Sequence, residues 1–226
     1  TDWQAWMWKR HAGFDVVAYT SSSRTENTQI AHSMSVAPEM VWIKRRDNTN
    51  KWIVGHKGLN GGTNAWAYNL VLNTNDDEEI LSSTDTTFSS TAPTSTHFTV
   101  GSNWDVNDSG SDYIAMLFAS VNDINGNPIS KVGSYTGTAN TQTITTGFQP
   151  RIMFLKNITD DGYYWQMLDT TRGWTSSSNK RIYFNDSRAQ DDNFVIGEPL
   201  STGFTITGTN VGWNKNNSTY IYYAHA

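Results

Sequence analysis

The chain has 226 residues, a formal net charge of −5 and no cysteine. The length allows one large or two ordinary domains, and the lack of cysteine removes a disulfide framework and any thiol-based metal site. An acidic balance argues against a nucleic-acid partner, whose phosphates need concentrated Lys and Arg, and no apolar run approaches the roughly 18–20 residues of a membrane-crossing helix.

Helical periodicity is almost absent. Apolar residues come in short β-branched and aromatic runs divided by Gly, Asn, Asp and Ser clusters, which predicts an all-β chain. Strands are expected at Val16–Tyr19, Met40–Lys44, Lys51–Val54, Leu70–Leu72, Phe98–Val100 and Tyr113–Ala119. A second set is expected at Lys131–Tyr135, Gln142–Thr145, Ile152–Lys156, Tyr163–Leu168, Arg181–Phe184, Phe204–Ile206 and Tyr220–Ala224. Turns fall at Asp47-Asn48-Thr49-Asn50, Thr159-Asp160-Asp161-Gly162 and Ser176-Ser177-Ser178-Asn179. The first two join a Lys-ended strand to a Trp-containing one, so Trp52 and Trp165 occupy equivalent hairpins.

The two sets are copies. Val17-Ala18-Tyr19-Thr20 returns as Gly133-Ser134-Tyr135-Thr136, 116 residues on; Pro38 to Lys44 returns as Pro150 to Lys156, 112 residues on. Ser111-Asp112-Tyr113-Ile114-Ala115 returns as Ser218-Thr219-Tyr220-Ile221-Tyr222, 107 residues on. A period this long marks a duplicated sandwich, not a solenoid unit of roughly 20–50 residues. Many short strands at this spacing imply two tandem homologous β-sandwich modules of jelly-roll or concanavalin-like type. The expected division is 13–121 for the first repeat, 122–130 for a linker and 131–226 for the second repeat. Residues 1–12 match the end of a repeat, with Trp3 on Tyr113, Ala5 on Ala115 and Trp8 on Phe118. They are therefore expected to be the last strand of an upstream module, with Tyr220–Ala226 as the natural closing strand.

Few residues suggest chemistry. Asp76-Asp77-Glu78-Glu79 has no acidic counterpart in the second copy and reads as a solvated loop. Asp123-Ile124-Asn125-Gly126-Asn127 starts like a calcium loop, but its Gly is misplaced and the terminal acid is missing, so a turn is expected. His11, His32, His56, His97 and His225 lack zinc spacing. His56 aligns with Asp169, which suggests a polar rim position. No nucleophile elbow or phosphate-binding glycine loop occurs. No catalytic residue, metal or cofactor is implied. Lys44-Arg45-Arg46 is the only dense basic patch and reads as a solvated strand end, with an anionic sugar or lipopolysaccharide phosphate as the functional alternative.

The tryptophans divide into two groups. Trp42 and Trp52 lie in strands, opposite Phe154 and Trp165 in the other copy, and are expected in the core. Trp66, Trp104, Trp174 and Trp213 lie in Gly/Asn/Ser-rich segments. An exposed face there could stack on a sugar's C–H side while a polar neighbour bonds the hydroxyls: Asp105 beside Trp104, Arg172 near Trp174, Asn214 beside Trp213. Packing against the parent sandwich or a neighbouring subunit is the structural alternative for all four.

The run of Val17 to Thr20, Pro38 to Asp47, Trp52-Ile53-Val54, Leu70 to Asn73, Phe98 to Gly101 and Tyr113 to Ser120, then Lys131 to Gly137 and a second round, resembles a tandem module. That module belongs to tail fibres and other tail-associated proteins of tailed bacteriophages, notably those of marine cyanobacteria. The chain departs from the pattern at Tyr19-Thr20-Ser21, where Y-T-G is usual, and in a longer loop from Gly61-Gly62 to Tyr68. The resemblance implies a virion structural or adhesion module, self-associated, as fibres are, into trimers, and it supplies no binding residues. The function expected here is non-catalytic attachment to a host-surface glycan or lipopolysaccharide, in contact with other virion proteins. A purely structural virion role and a polysaccharide depolymerase are the alternatives.

Overall fold

The computed structural model describes residues 5, 7–10, 12–80, 86–192 and 194–226. Its first half carries β1 (Phe14–Thr20), β2 (Thr28–Ala31), β3 (Met40–Arg45), β4 (Trp52–His56), β5 (Tyr68–Val71), β6 (Glu79–Ile80), β7 (His97–Val100) and β8 (Asp112–Phe118). The second carries β9 (Val121–Asn122), β10 (Pro128–Thr136), β11 (Gln142–Thr145), β12 (Ile152–Asn157), β13 (Gln166–Asp169), β14 (Arg181–Tyr183), β15 (Pro199–Leu200), β16 (Gly203–Ile206) and β17 (Thr219–His225). Among the described residues the one α-helix is a single turn, α1 (Trp104–Asn107).

All strand pairing is antiparallel. One six-stranded sheet has the order β1-β8-β3-β4-β5-β6. The other, read from β10, runs β10-β17-β12-β13-β14, with β9 added outside β10. The second sheet thus repeats the strand order of the first. Two small sheets, β2-β7 and β11-β16-β15, repeat each other likewise.

Side-chain alternation sorts these sheets into layers. Val41 and Ile43 pair with Leu117 and Ala115, so they share a face with Tyr113, whose neighbour Tyr19 meets Phe98 of β7 at 6.1 Å. The opposite face carries Trp42 and Phe118, which touch the second sheet: Trp42 lies 5.5 Å from Phe154, and Phe118 lies 4.9 Å from Tyr223. The far face of that sheet carries Tyr222, whose ring meets Phe204 of β16 at 5.3 Å. The order is small sheet, main sheet, main sheet, small sheet. This explains the uninterrupted apolar run in β3, which is buried on both faces.

A duplicated polar network fixes each end. Tyr19 stacks on Tyr113 with ring centroids 5.0 Å apart at 15°, and Tyr135 stacks on Tyr220 with the same values. Tyr19 donates to the Val106 carbonyl and Tyr135 to that of Trp213, each at 2.7 Å. Asn107 donates to the Gly101 carbonyl and Asn214 to that of Gly208, each at 2.8 Å.

The halves are also joined by hydrogen bonds. Val71 accepts from the Trp165 indole at 3.2 Å, Asn75 accepts from Gly162 N–H at 3.0 Å, and Glu78 N–H donates to Ile158 at 3.2 Å. The Lys156 ammonium, fully buried, donates to the carbonyls of Tyr163 at 2.8 Å and Asn75 at 3.3 Å. The acidic loop expected to be solvated is therefore half-buried from Asp77 to Glu79 and forms part of this seam.

Other expectations also shift. The segment 122–130 is not a free linker: Pro128 pairs with Asn122 and Ser130 with Val121, making a hairpin. The Asp123 carboxylate accepts from the N–H groups of Asn125 and Asn127 at 2.8 and 2.9 Å, which completes a turn. Of the segment expected to close an upstream module, residues 1–4, 6 and 11 lie outside the described residues, Trp3 and Trp6 included. Residues 7–10 form no strand; Trp8 packs 5.5 Å from Phe14 and 6.0 Å from Phe154.

Candidate functional site

The most site-like surface begins with a helix cap. Asn103 adopts an extended conformation and accepts from Asp105 N–H at 2.8 Å, starting the single turn of α1. The Trp104 carbonyl accepts from the Tyr113 hydroxyl at 2.9 Å, tying that turn to the core. This geometry sends the two side chains to different environments: Trp104 is 47% exposed and Asp105 is buried. The β3–β4 turn closes the other side. Together Asn48, Thr49, Asn50, Lys51, Trp104 and Asp105 line an open cleft of about 380 Å³.

The floor of that cleft is polar and incompletely bonded. Asp105 Oδ1 and Asn50 Nδ2 are both enclosed and neither has a partner with full hydrogen-bond geometry, although the Asn50 amide and the Lys51 main chain lie close enough to act on the Asp105 carboxyl. Burial pushes the Asp105 carboxyl up from its ordinary range, while Lys51, Asn50 and Lys44 nearby pull it back. Asp105 is the one carboxylate among the lining residues.

The second half differs at the same place. Asn210 caps Gly212 N–H at 2.7 Å, as Asn103 caps Asp105, but Val211 and Gly212 stand where Trp104 and Asp105 stand. The Gly212 carbonyl accepts from Gln166 at 2.8 Å, and a Cβ on Gly212 would sit only 3.1–3.2 Å from Asn210 and Gln166 atoms. A side chain at this position would need Asn210 and Gln166 to shift by a few tenths of an ångström.

The expectation of an exposed face fails at the other three loop tryptophans. Trp66 is buried edge-on against Phe88, 5.4 Å away, over Gly55, where any Cβ would come within 2.7 Å of both rings. Trp174 is buried and donates to the Gly197 carbonyl at 2.9 Å; Trp213 is buried and donates to that of Thr207 at 2.8 Å. Each of these two indoles anchors a loop, giving its ring to the core and its N–H to a main-chain carbonyl. Asn214 is buried and committed: it accepts from Thr138 N–H and Gln142 and donates to Asn140 and Gly208. Arg172 is half-buried and bonds Gln190. The sequence set thus splits: Trp104 and Asp105 come together, while Trp66, Trp174, Arg172, Trp213 and Asn214 lie elsewhere. Asn50 was legible only as the end of a turn and Lys51 only as the start of a strand; their partnership with Trp104 is a tertiary contact.

Further candidates also change character. His56 and Asp169 are buried, not on the rim. Burial holds the His56 imidazole down at about 3, and its Nδ1 accepts from Gly58 N–H at 2.9 Å. In the basic patch, Arg45 is bonded to Asp47 at 2.7 Å and Asp108 at 2.8 Å, and Lys44 donates to the Asn48 carbonyl at 2.7 Å. A larger cleft, about 650 Å³, is lined by Arg151 as its only charged side chain, and its Trp174 presents almost no surface. Among the described residues no group of His, Asp and Glu is arranged to hold a metal, and no helix is long and apolar enough to cross a membrane.

Residues 7–226 match a domain of unknown function, DUF7483. The chain belongs to the DUF7483 family. One DUF7483 match spans both halves, including the seam and the Trp104 cleft. No curated protein and no solved structure is significantly similar to the chain.

Proposed function

We propose that this DUF7483 chain is a non-catalytic attachment module of a tailed-phage virion, carried on a tail fibre or near the baseplate, that binds a host-surface glycan or lipopolysaccharide. In this reading the layered halves are tandem homologous jelly-roll or concanavalin-like sandwiches, and the duplicated tyrosine and asparagine networks are their common scaffold. The observation that carries the reading is Trp104. Among the described residues it is the most exposed tryptophan, and it stands over a polar cleft whose ring and carboxylate are replaced by Val211 and Gly212 in the second half. Glycoside hydrolysis requires a carboxylate pair, whereas Asp105 alone lines this cleft, so a binding role fits it better than depolymerase chemistry. Weak single-sugar contacts gain strength when linked sites act together, which suits a homotrimeric fibre packed against other virion proteins.

The test is adsorption of fluorescently labelled chain to a panel of bacteria, cyanobacteria included, and to their extracted polysaccharide. Saturable binding lost in Trp104→Ala supports the reading; no binding to any cell or polysaccharide refutes it. A second reading, a structural virion protein packed on neighbouring subunits, draws support from the burial of Trp66, Trp174 and Trp213, which leaves little aromatic surface for adhesion. It predicts that Trp104→Ala impairs particle assembly and leaves adsorption of assembled particles unchanged.

A further inference from the structure

The Trp104 cleft carries enough chemistry to name the class of its ligand, an inference that rests on the attachment reading. Its wall is a half-exposed indole, a ring type whose face suits the C–H side of a pyranose ring. Its floor holds an acceptor and a donor that lack partners with full hydrogen-bond geometry, Asp105 Oδ1 and Asn50 Nδ2. One hydroxyl can serve both, because its O–H donates to the carboxylate while its oxygen accepts from the amide. A buried carboxylate oxygen left without a donor is costly, and a hydrogen bond to a charged group is stronger than one between neutral groups.

The charges around the floor are already matched. Lys51 stands 3.8 Å from Glu79, and the Lys44 ammonium donates to the main-chain carbonyls of Arg45 and Asn48. With Lys44 and Lys51 set against Asp105 and Glu79, the cleft offers no unbalanced charge to select a uronate or an amino sugar. We propose that the cleft between α1 and the β3–β4 turn is a subsite for one neutral hexopyranose, stacked on Trp104 with a ring hydroxyl held between Asp105 and Asn50. Because both polar atoms are enclosed, the ring enters as Asn50, at the end of the exposed turn 46–51, changes rotamer. The second half cannot bind in this way, since Val211 and Gly212 supply neither ring nor carboxylate.

The test titrates the whole chain by calorimetry with three neutral polymers (dextran, mannan and galactan), a chitosan oligosaccharide and an oligogalacturonate. Binding to at least one neutral polymer is expected, weakened about tenfold or more by Trp104→Ala and by Asp105→Asn. Asp105→Asn keeps the side-chain shape, and an unchanged unfolding temperature shows that either variant is folded. Preference for a charged oligosaccharide overturns the proposal, as does neutral binding that both folded variants retain. Failure to bind any neutral polymer also overturns it. If the same chain still adsorbs to cells, the attachment reading survives; if adsorption fails too, both fall.

Discussion

Lys156 offers a measurement of how the two halves are held together. Its ammonium is fully buried in the seam, and burial holds its pKa down at about 8 against an ordinary 10.5, despite the nearby Asp77, Asp161 and Asp76. Each pKa unit corresponds to about 1.4 kcal/mol, so keeping this charge in the folded state costs on the order of 3 kcal/mol. The folded pKa lies below the unfolded one, so between about pH 8 and 10.5 the unfolded chain binds more protons. Stability must then rise with pH across that window, and the cost is fully present below it. Lys156→Met removes the charge and two hydrogen bonds, of which the one to Asn75 leaves a carbonyl still served by Gly162. At pH 7 the variant should be as stable as the parent or more stable by about 1–2 kcal/mol. Urea unfolding at pH 7, 8.5 and 9.5 gives the difference between the two proteins at each pH. That difference cancels the tyrosines, such as Tyr220, raised to about 12, whose contribution runs the other way at high pH. The parent should gain on the variant by about 2 kcal/mol from pH 7 to 9.5. Parallel pH profiles would refute the buried, charge-penalised lysine.

Three further substitutions test the scaffold. Desolvation raises the Glu26 carboxyl, but hydrogen bonds from the hydroxyls of Ser102, Thr86 and Ser89 (the last at 2.7 Å) and from Ser102 N–H at 3.0 Å outweigh it and hold the carboxyl at about 2. Its stabilisation is present above the ordinary carboxyl pKa and lost as pH falls through about 2, so Glu26→Gln should cost about 1–2 kcal/mol at pH 7 and progressively less in acid-unfolding curves. Asn107→Ala and Asn214→Ala should each cost about 1–3 kcal/mol in denaturant unfolding, because each removes a fully buried amide that bonds two main-chain carbonyls in equivalent places; a cost in only one half would show that the networks are not equivalent. Gly55→Ala should destabilise by about 1–3 kcal/mol through collision with Trp66 and Phe88, and an unchanged melting temperature would contradict the packing of Trp66.

Much of the scaffold was legible in the sequence for simple reasons. Met40 to Lys44 and Ile152 to Lys156 are apolar runs long enough to be strands buried on both faces, and they are paired as strands in equivalent sheets. The steady repeat pointed to equal partners at Tyr19 and Tyr135, which the stacking geometry reproduces. Short polar strands were not legible: Thr28–Ala31 and Pro199–Leu200 have little apolar pattern of their own and are strands because β7 and β16 pair with them. The loop tryptophans misled because polar neighbours suggest exposure, whereas at Trp174 and Trp213 the surrounding loop supplies a carbonyl to the indole and the ring faces inward. Lys156 resembles Lys44 in sequence, but its ammonium is enclosed between Asn75 of the first half and Tyr163 of its own. Asp105 and Asn50 could not be paired from sequence either, since 55 residues separate them and only the fold brings them together.

The most direct test of the attachment account is the set of indole N–H signals in a proton–nitrogen spectrum of the whole chain, which has ten tryptophans, recorded while a bound neutral glycan is added. Movement concentrated on the Trp104 indole and on the main-chain signals of residues 48–51 and 105 is the predicted result. A glycan that binds while leaving Trp104 unmoved, or that shifts residues around Val211 and Gly212 instead, would contradict it.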